Sequence, residues 1–188
     1  MNNNQSNFPR VTEILQTVGL IDMSKINPAV LIAAQKFGIA VHRACELWDK
    51  NNLNVEKLSP EIVPYLNSWK KYLEQNNIKY SLEEVEKRLY STKLMFTGKP
   101  DRFCFVGNTL HITDIKVSNV IYPATSIQLA AYEILILENF PKKCYVKRKS
   151  VLLSQDGYKI VEHKNPADKT IFLSALNIYN WRKNNLWV

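Results

Sequence analysis

The sequence predicts one mixed α/β domain, spanning 1–188, with a central mixed sheet flanked by helices. Two runs that alternate apolar and polar residues meet at Gly107 and Asn108, which is the pattern of a β-hairpin. A helical pattern follows over about 124–139, and another strand is expected over about 143–153. A helix between two strands of one sheet makes a right-handed crossover, so the second and third strands should be parallel. The sheet is therefore expected to be mixed.

The other elements follow from local patterns along the chain. Residues 1–8 are rich in Asn, Gln and Ser and are expected to be disordered, because they offer little apolar surface to bury. Apolar residues at helical spacing make 10–76 a helical N-terminal part, in which Gly38 could interrupt the second helix and Ser59-Pro60-Glu61 begins the third. Alternation over 82–90 predicts a strand, so 80–163 should form the sheet core. A C-terminal helix is expected over 166–185.

The amino-acid composition limits the class of protein to which the chain can belong. With 46% hydrophobic and 22% charged residues, the chain can bury a sizeable core and is not expected to be disordered as a whole. Lys and Arg outnumber Asp and Glu by 25 to 17, which gives a net charge of +8. Such an excess favours a polyanionic partner without specifying it.

The cysteine pattern favours a reducing compartment. Cys45, Cys104 and Cys144 are far apart and lack C-x-x-C spacing, so neither a disulfide framework nor a zinc knuckle is indicated. The N-terminal residues lack the apolar core of a signal peptide, and no apolar run is long enough to span a bilayer. We expect a protein of the bacterial cytoplasm, or of the host cytoplasm if the chain is viral, with no membrane partner.

The register of the hairpin brings two acids together. If Gly107 and Asn108 are the whole loop, counting outward places Asp101 opposite Asp114. Opposed side chains lie about 5 Å apart, and like charges in that position destabilise a sheet. Both acids share the face of the apolar hairpin residues, so they should be partly desolvated. Such a pair must take up a proton or hold a cation.

Further polar residues could complete a site at this end of the hairpin. Lys116 projects from the same face as Asp114, and two acids with a lysine indicate a hard-metal site. A lone Asp-x-Lys is common by chance, so the register and the preceding Gly98-Lys99-Pro100-Asp101 carry this interpretation. Glu86 could be a supporting acid or belong to a solvated strand face. His42 is a core-edge histidine unless its helix packs against the hairpin end.

Two more groups are candidates for contact with a polyanion. Gln128 and Tyr132 are four residues apart and share one face of the predicted helix. The densest basic cluster follows it and is either a solvated edge or a surface that tracks phosphates. Its members are Lys142, Lys143, Lys147, Arg148 and Lys149.

These residues, taken in order, resemble the motifs of a known family. His42 in an N-terminal helix, Gly98-Lys99-Pro100-Asp101, Asp114-Ile115-Lys116 and Gln128-x-x-x-Tyr132 are similar to those of PD-(D/E)xK nucleases. The resemblance spans about 10–155 and is to the RecB-like exonuclease branch, which includes CRISPR-associated and mitochondrial genome maintenance exonucleases. It implies a restriction-endonuclease-like core with an N-terminal helical segment.

The resemblance also implies roles for individual residues. His42, Asp101 and Asp114 would ligate Mg²⁺ or Mn²⁺ together with the main-chain carbonyl of Ile115, and a histidine ligand would favour Mn²⁺ somewhat. Lys116 would orient or activate the attacking water.

The same resemblance extends to the substrate and to a second kind of cofactor. Gln128 and Tyr132 would hold a DNA strand. Lys147, Arg148 and Lys149 are expected to be further DNA contacts because of their charge, not because of the resemblance. Some CRISPR-associated members bind an iron–sulfur cluster through four cysteines. This chain has three scattered cysteines, so no such cluster is expected.

The function predicted from these residues is a metal-dependent DNA exonuclease in repair, recombination or replication. Its partners would be single-stranded or duplex DNA ends, and a homo-oligomer or a subunit of a larger DNA-processing complex is compatible with the small size. A structure-selective or restriction-like endonuclease is the alternative within the class. A catalytically inactive nucleic-acid-binding module is the other alternative, although such modules usually lose an acid or the lysine. A basic structural protein would leave the opposed aspartates without a purpose.

Overall fold

The computed structural model describes residues 7–118 and 120–185, so six of the residues expected to be disordered, 1–6, lie outside the described ranges. The described residues form five α-helices and six β-strands. The helices are α1 Val11–Thr17, α2 Pro28–Asp49, α3 Val63–Gln75, α4 Ala124–Asn139 and α5 Ala167–Asn185. The strands are β1 Leu89–Ser91, β2 Phe96–Gly98, β3 Arg102–Val106, β4 Thr109–Lys116, β5 Tyr145–Leu153 and β6 Tyr158–Glu162.

The main sheet is mixed, as predicted. Its order is β3-β4-β5-β6, with β4 and β5 parallel and the two outer pairs antiparallel. The hairpin register is confirmed, because Val106 pairs with Thr109 and Arg102 pairs with Thr113. Gly107 closes the loop with a φ of 58°, a conformation that glycine adopts without a Cβ penalty. The side-chain alternation of the hairpin therefore follows from its two-residue loop.

Helices cover both faces of the sheet. On one face, Phe103, Leu110 and Ile112 join a buried cluster built with α1, α4 and α5. On the other face, Cys104 and Ile115 join a second cluster built with α2 and α3. Side chains of successive residues in these strands point to opposite faces, so both faces of the hairpin are covered by a buried cluster.

The helix α2 is long and is buried only in its second half. Gly38 does not interrupt it, and its buried residues Val41, Ala44 and Cys45 all lie near the C-terminal end. The helix begins with Asn27, whose side chain accepts a hydrogen bond from the backbone N–H of Ala29. This packing places His42, next to Val41, beside Asp101.

Two predicted elements differ in the structure. The strand expected over 82–90 is wrong: Leu82–Glu84 is a 3-10 turn, and only β1 pairs with β2 in a separate two-stranded sheet. The extended run breaks at Glu86, which has a φ of 54°. The third helix begins at Val63 rather than at Ser59, because residues 59–62 form a turn closed by the Ile62 N–H and the Ser59 carbonyl at 2.9 Å.

None of the helices in the described ranges is long and apolar enough to cross a bilayer.

Candidate metal centre

The residue Asp101 lies between β2 and β3, and its side chain reaches across to β4. Its Oδ2 accepts a hydrogen bond of 2.7 Å from the backbone N–H of Ile115. Continuing the observed pairing of Arg102 with Thr113 places Asp101 opposite Asp114. The two acids that the sequence analysis paired are therefore brought to the same end of the hairpin.

Three potential metal ligands meet around Asp101. One ligand atom from each of His42, Glu86 and Asp101 lies within 4.8 Å of the other two. The His42 Nδ1 is 3.6 Å from Asp101 Oδ2, and all three side chains are half-buried. An imidazole nitrogen with two carboxylates is a donor set that suits Mn²⁺ and also accepts Mg²⁺. The residues present therefore fit a divalent cation.

The position of Glu86 is the main difference from the sequence interpretation. Its backbone N–H donates to the Asp101 carbonyl at 2.9 Å, and its carboxylate pairs with the Lys99 ammonium at 2.6 Å. Burial raises the pKa of the Glu86 carboxyl, and the Asp101 charge raises it further, while Lys99 opposes the rise. Glu86 is thus a member of the cluster rather than part of a solvated strand face.

The Asp114 side chain is more deeply buried than those of the potential ligands His42, Glu86 and Asp101. Only 3% of the residue is exposed. Its Oδ1 accepts a 2.9 Å hydrogen bond from the Lys116 ammonium, and its Oδ2 accepts one of 3.1 Å from the Ser150 hydroxyl. Burial raises the pKa of the Asp114 carboxyl, Lys116 opposes the rise, and the Asp101 charge adds to it. The mutual repulsion of Asp101 and Asp114 is therefore partly offset by Lys116.

The charge of Lys116 is fixed by its acidic neighbours. Burial lowers the pKa of the ammonium, but the Asp114 and Asp101 carboxylates outweigh burial, so the net shift is upward. A protonated Lys116 can stabilise negative charge on a phosphate or an attacking oxygen. The adjoining Ile115 side chain is fully buried and its N–H is bonded to Asp101, while the ligand role of its carbonyl stays a prediction.

The residues Gln128 and Tyr132 pair on the side of α4 that faces the acids. Gln128 Nε2 donates to the Tyr132 hydroxyl oxygen at 2.8 Å. Burial raises the pKa of the Tyr132 hydroxyl, Gln128 opposes the rise, and the Asp101 and Asp114 charges add to it. The tyrosine ring packs on Gly98, where an added Cβ would lie 2.8 Å from the ring. These contacts place the Gln128–Tyr132 pair beside the acidic cluster.

The members of the basic cluster differ in their exposure to solvent. Lys142, Lys143 and Lys147 are exposed, whereas Arg148 and Lys149 are each only 7% exposed.

Structural contacts account for both buried side chains. The Arg148 guanidinium lies 3.1 Å from Asp168 Oδ2 and 3.7 Å from Glu133 Oε2, so it joins β5 to α4 and α5. The Lys149 ammonium lies 5.1 Å from the centre of the Tyr72 ring on the other face of the sheet. The expectation that both contact DNA is therefore corrected, because neither charged group is offered to an incoming phosphate.

Asp101 is supported by a buried ion pair that was not predicted from the sequence. The Arg102 Nε donates to Asp49 Oδ2 at 2.6 Å, and its NH1 donates to the Asp101 carbonyl oxygen at 2.6 Å. Arg102 is fully buried. The signal was that Arg102 shares a face of β3 with the apolar Cys104, since a charged residue on a covered face requires a buried partner. Ser150 and His163 were also missed.

Comparisons with known proteins bear on the fold. No family model matches the chain, and no curated protein matches it by sequence. Among solved structures, the chain is similar to a candidate exonuclease from Eubacterium rectale, with a TM-score of 0.58 and 10% identity over 96% of this chain and 82% of that one. A second structure, SSO0001, has a TM-score of only 0.40, with 16% identity over 78% of this chain and 75% of that one, and this likeness is too weak to define a shared fold. The chain thus has a mixed α/β, restriction-endonuclease-like fold with an N-terminal helix.

Proposed function

We propose that the protein is a divalent-metal-dependent deoxyribonuclease, and within that class an exonuclease similar to the RecB-like branch of PD-(D/E)xK nucleases. The observation that carries the proposal is the convergence of His42, Glu86 and Asp101 at one end of the sheet. Asp114 and Lys116 lie at the same end. Phosphodiester hydrolysis needs negative ligands for a cation, a positive group near the reacting oxygens and a defined direction of attack.

The proposed ligands are His42, Asp101 and Asp114, with Glu86 as a supporting acid and the carbonyl of Ile115. Mg²⁺ or Mn²⁺, when bound, would neutralise phosphate oxygens and favour ionisation of a water molecule. Asp101 is held in place by Ile115 before any cation arrives, so little reorganisation is needed.

Other residues of the chain would handle the substrate. Lys116 is a fixed positive charge beside Asp114 and would stabilise the charge that develops during attack. The half-buried Gln128 would position the strand near the cluster, and Tyr132, which is only 6% exposed, would act through its hydrogen bond with the Gln128 amide. Lys147 is the one member of the proposed DNA-binding triad Lys147, Arg148 and Lys149 that is exposed, and it would contact the phosphate backbone.

An exonuclease is favoured over the alternatives by one observation. The fold is shared with a candidate exonuclease from Eubacterium rectale. A structure-selective or restriction-like endonuclease is the second candidate. A role in DNA repair, recombination or replication, on its own or as part of a larger complex, follows from the proposed activity.

An end-labelled DNA assay tests the proposal. Linear single-stranded, linear duplex and covalently closed circular DNA are each incubated with Mg²⁺, Mn²⁺ or EDTA. We expect metal-dependent loss of linear DNA, no action on closed circles and no activity in EDTA. Cleavage of closed circles would favour the endonuclease, and no cleavage of any DNA would contradict the proposal.

A matched variant excludes a contaminating nuclease. Asp114→Asn, purified in the same way, removes a ligand charge with little change in volume and should abolish cleavage. Asp156→Asn makes the same chemical change in the β5–β6 turn and should cleave normally.

A further inference from the structure

Two polar residues outside the proposed catalytic set, Ser150 and His163, are connected to Asp114 by hydrogen bonds. Ser150 pairs with Asp114 in the parallel β4–β5 ladder, and its hydroxyl donates to Asp114 Oδ2 at 3.1 Å. His163 follows β6, and its Nε2 lies 3.0 Å from the same hydroxyl oxygen. Ser150 is fully buried, so no solvent competes for these contacts. The three side chains form one connected line from β4 to the end of β6.

The hydroxyl can donate only one hydrogen bond. Because the Ser150 proton goes to Asp114, the contact with His163 requires Nε2 to carry a proton and to donate to the serine oxygen. Burial lowers the pKa of His163 and the Arg148 charge lowers it further, which favours the neutral ring. A neutral ring with a proton on Nε2 has none on Nδ1. The connected side chains of Asp114, Ser150 and His163 therefore predict that His163 is the tautomer with its proton on Nε2.

This arrangement has the residue types of a hydrolytic triad but not its order. In a triad the histidine lies between the acid and the serine, so that it can take the serine proton. Here Ser150 lies between Asp114 and His163, and it is buried. Ser150 cannot act as a nucleophile in this position. Its one function available from these contacts is to hold the carboxylate.

We propose that His163 and Ser150 are positioning residues that fix the orientation of Asp114. The inference rests on the proposed function, in which Asp114 is a metal ligand. Lys116 holds one oxygen of the carboxylate, and Ser150 holds the other. Each oxygen keeps a lone pair for a cation, while rotation of the carboxylate is blocked. Partners of this kind typically change metal affinity or activity by about 10- to 100-fold when they are removed.

The tautomer is tested first, because its measurement needs neither metal nor DNA. Nitrogen-15 NMR of the metal-free protein reports which ring nitrogen of each histidine carries a proton, and the chain has 3 histidines. We expect His163, assigned by its loss in His163→Gln, to be the Nε2–H form and to lose this preference in Ser150→Ala. A proton on Nδ1 alone, or an unchanged signal in Ser150→Ala, would overturn the proposal.

Metal affinity then tests the positioning role. Mn²⁺ titration followed by electron paramagnetic resonance should show about tenfold weaker binding for Ser150→Ala and for His163→Leu. His163→Gln should recover most of the affinity, because its amide N–H can donate to Ser150. His111→Gln changes another histidine of the sheet and should bind normally. Wild-type affinity in both Ser150→Ala and His163→Leu, or no rescue by glutamine in a folded variant, would overturn the proposal.

These measurements separate the two claims. A wild-type protein that binds Mn²⁺ but cleaves no DNA contradicts the proposed nuclease, while the tautomer and affinity measurements still decide whether His163 and Ser150 position Asp114.

Discussion

The Asp101 carboxylate is tied to Ile115 by a 2.7 Å hydrogen bond from the Ile115 backbone N–H to Oδ2. This bond joins the beginning of β3 to the end of β4, across the open end of the hairpin. It fixes an acid beside Asp114 without the help of a cation. A preorganised acid of this kind lowers the reorganisation that metal binding would otherwise require.

Replacing Asp101 by Asn should remove metal binding while preserving the fold. The asparagine carbonyl can still accept the Ile115 hydrogen bond, but the ligand charge is lost. Cation at about a hundred times its dissociation constant should stabilise the wild type by about 2.7 kcal/mol. At about 2–4 °C per kcal/mol, this is a rise of several degrees in melting temperature. The variant should lose most of that rise, and Asp156→Asn should keep it. A full Mn²⁺-induced rise in Asp101→Asn would remove Asp101 from the site.

Replacing Glu86 by Gln should stabilise the metal-free protein at neutral pH. The folded-state pKa of Glu86 is raised by burial and by Asp101, so the ionised form opposes folding. The wild type therefore loses stability as pH rises through this raised pKa, and the variant does not. The gain should vanish below about pH 4, near the ordinary glutamate pKa, where the acid is neutral in both states.

Denaturant unfolding at several pH values measures this difference. Glu83→Gln is the matched control, because the neighbouring Lys87 lowers the pKa of Glu83 and removing that charge should give no gain. A Glu86→Gln protein that is less stable than the wild type without metal, yet binds Mn²⁺ equally well, would place Glu86 in a purely structural role.

Replacing Gly98 by Ala should destabilise the fold and disturb Tyr132. An added Cβ would lie 2.8 Å from both Tyr132 Cε1 and Leu135 Cδ1, so the ring must move. Overpacking of this kind costs about 1–3 kcal/mol. Gly38→Ala, in an open position of α2, should instead gain about 0.5–1 kcal/mol. Equal stability changes in the two variants would show that Tyr132 does not constrain Gly98.

Lys147 and Arg148 should respond differently to substitution by Ala. Lys147 is exposed, so its loss should lower the slope of DNA affinity against salt by about 0.9 per lost contact on duplex DNA. Arg148→Ala leaves the buried Asp168 without its cation, although Glu133 keeps its ion pair with Lys169, and should cost about 3–5 kcal/mol of stability. Lys159→Ala, an exposed lysine of β6, is the control for general charge. A slope unchanged by Lys147→Ala would place that lysine away from the DNA.

The sequence predicted the hairpin well because its determinants are local. A two-residue loop and strict alternation define the pairing of Arg102 with Thr113, and hence the position of Asp101. The same local reasoning failed at Glu86. Alternation there is compatible with a strand, but the backbone turns because the Glu86 N–H bonds to Asp101 and its carboxylate pairs with Lys99.

The basic cluster shows the same limit of local patterns. Adjacent basic residues in a strand predict an exposed edge. The Arg148 guanidinium, however, forms ion pairs with Glu133 and Asp168, which lie on helices from other parts of the chain. Ser150 and His163 were missed for a related reason. The contacts of Ser150 with Asp114 and with His163 depend on the pairing of β4, β5 and β6, and no spacing in the sequence encodes them.

Anomalous diffraction from crystals soaked in Mn²⁺ locates the proposed metal site. We expect a manganese peak within ligand distance of His42 Nδ1 and of the Asp101 and Asp114 carboxylates, with the Glu86 carboxylate beside it. The peak should be absent from Asp101→Asn crystals grown and soaked in the same way. A peak elsewhere, or wild-type crystals with no manganese at His42, Asp101 and Asp114, would show that these residues do not form the metal site.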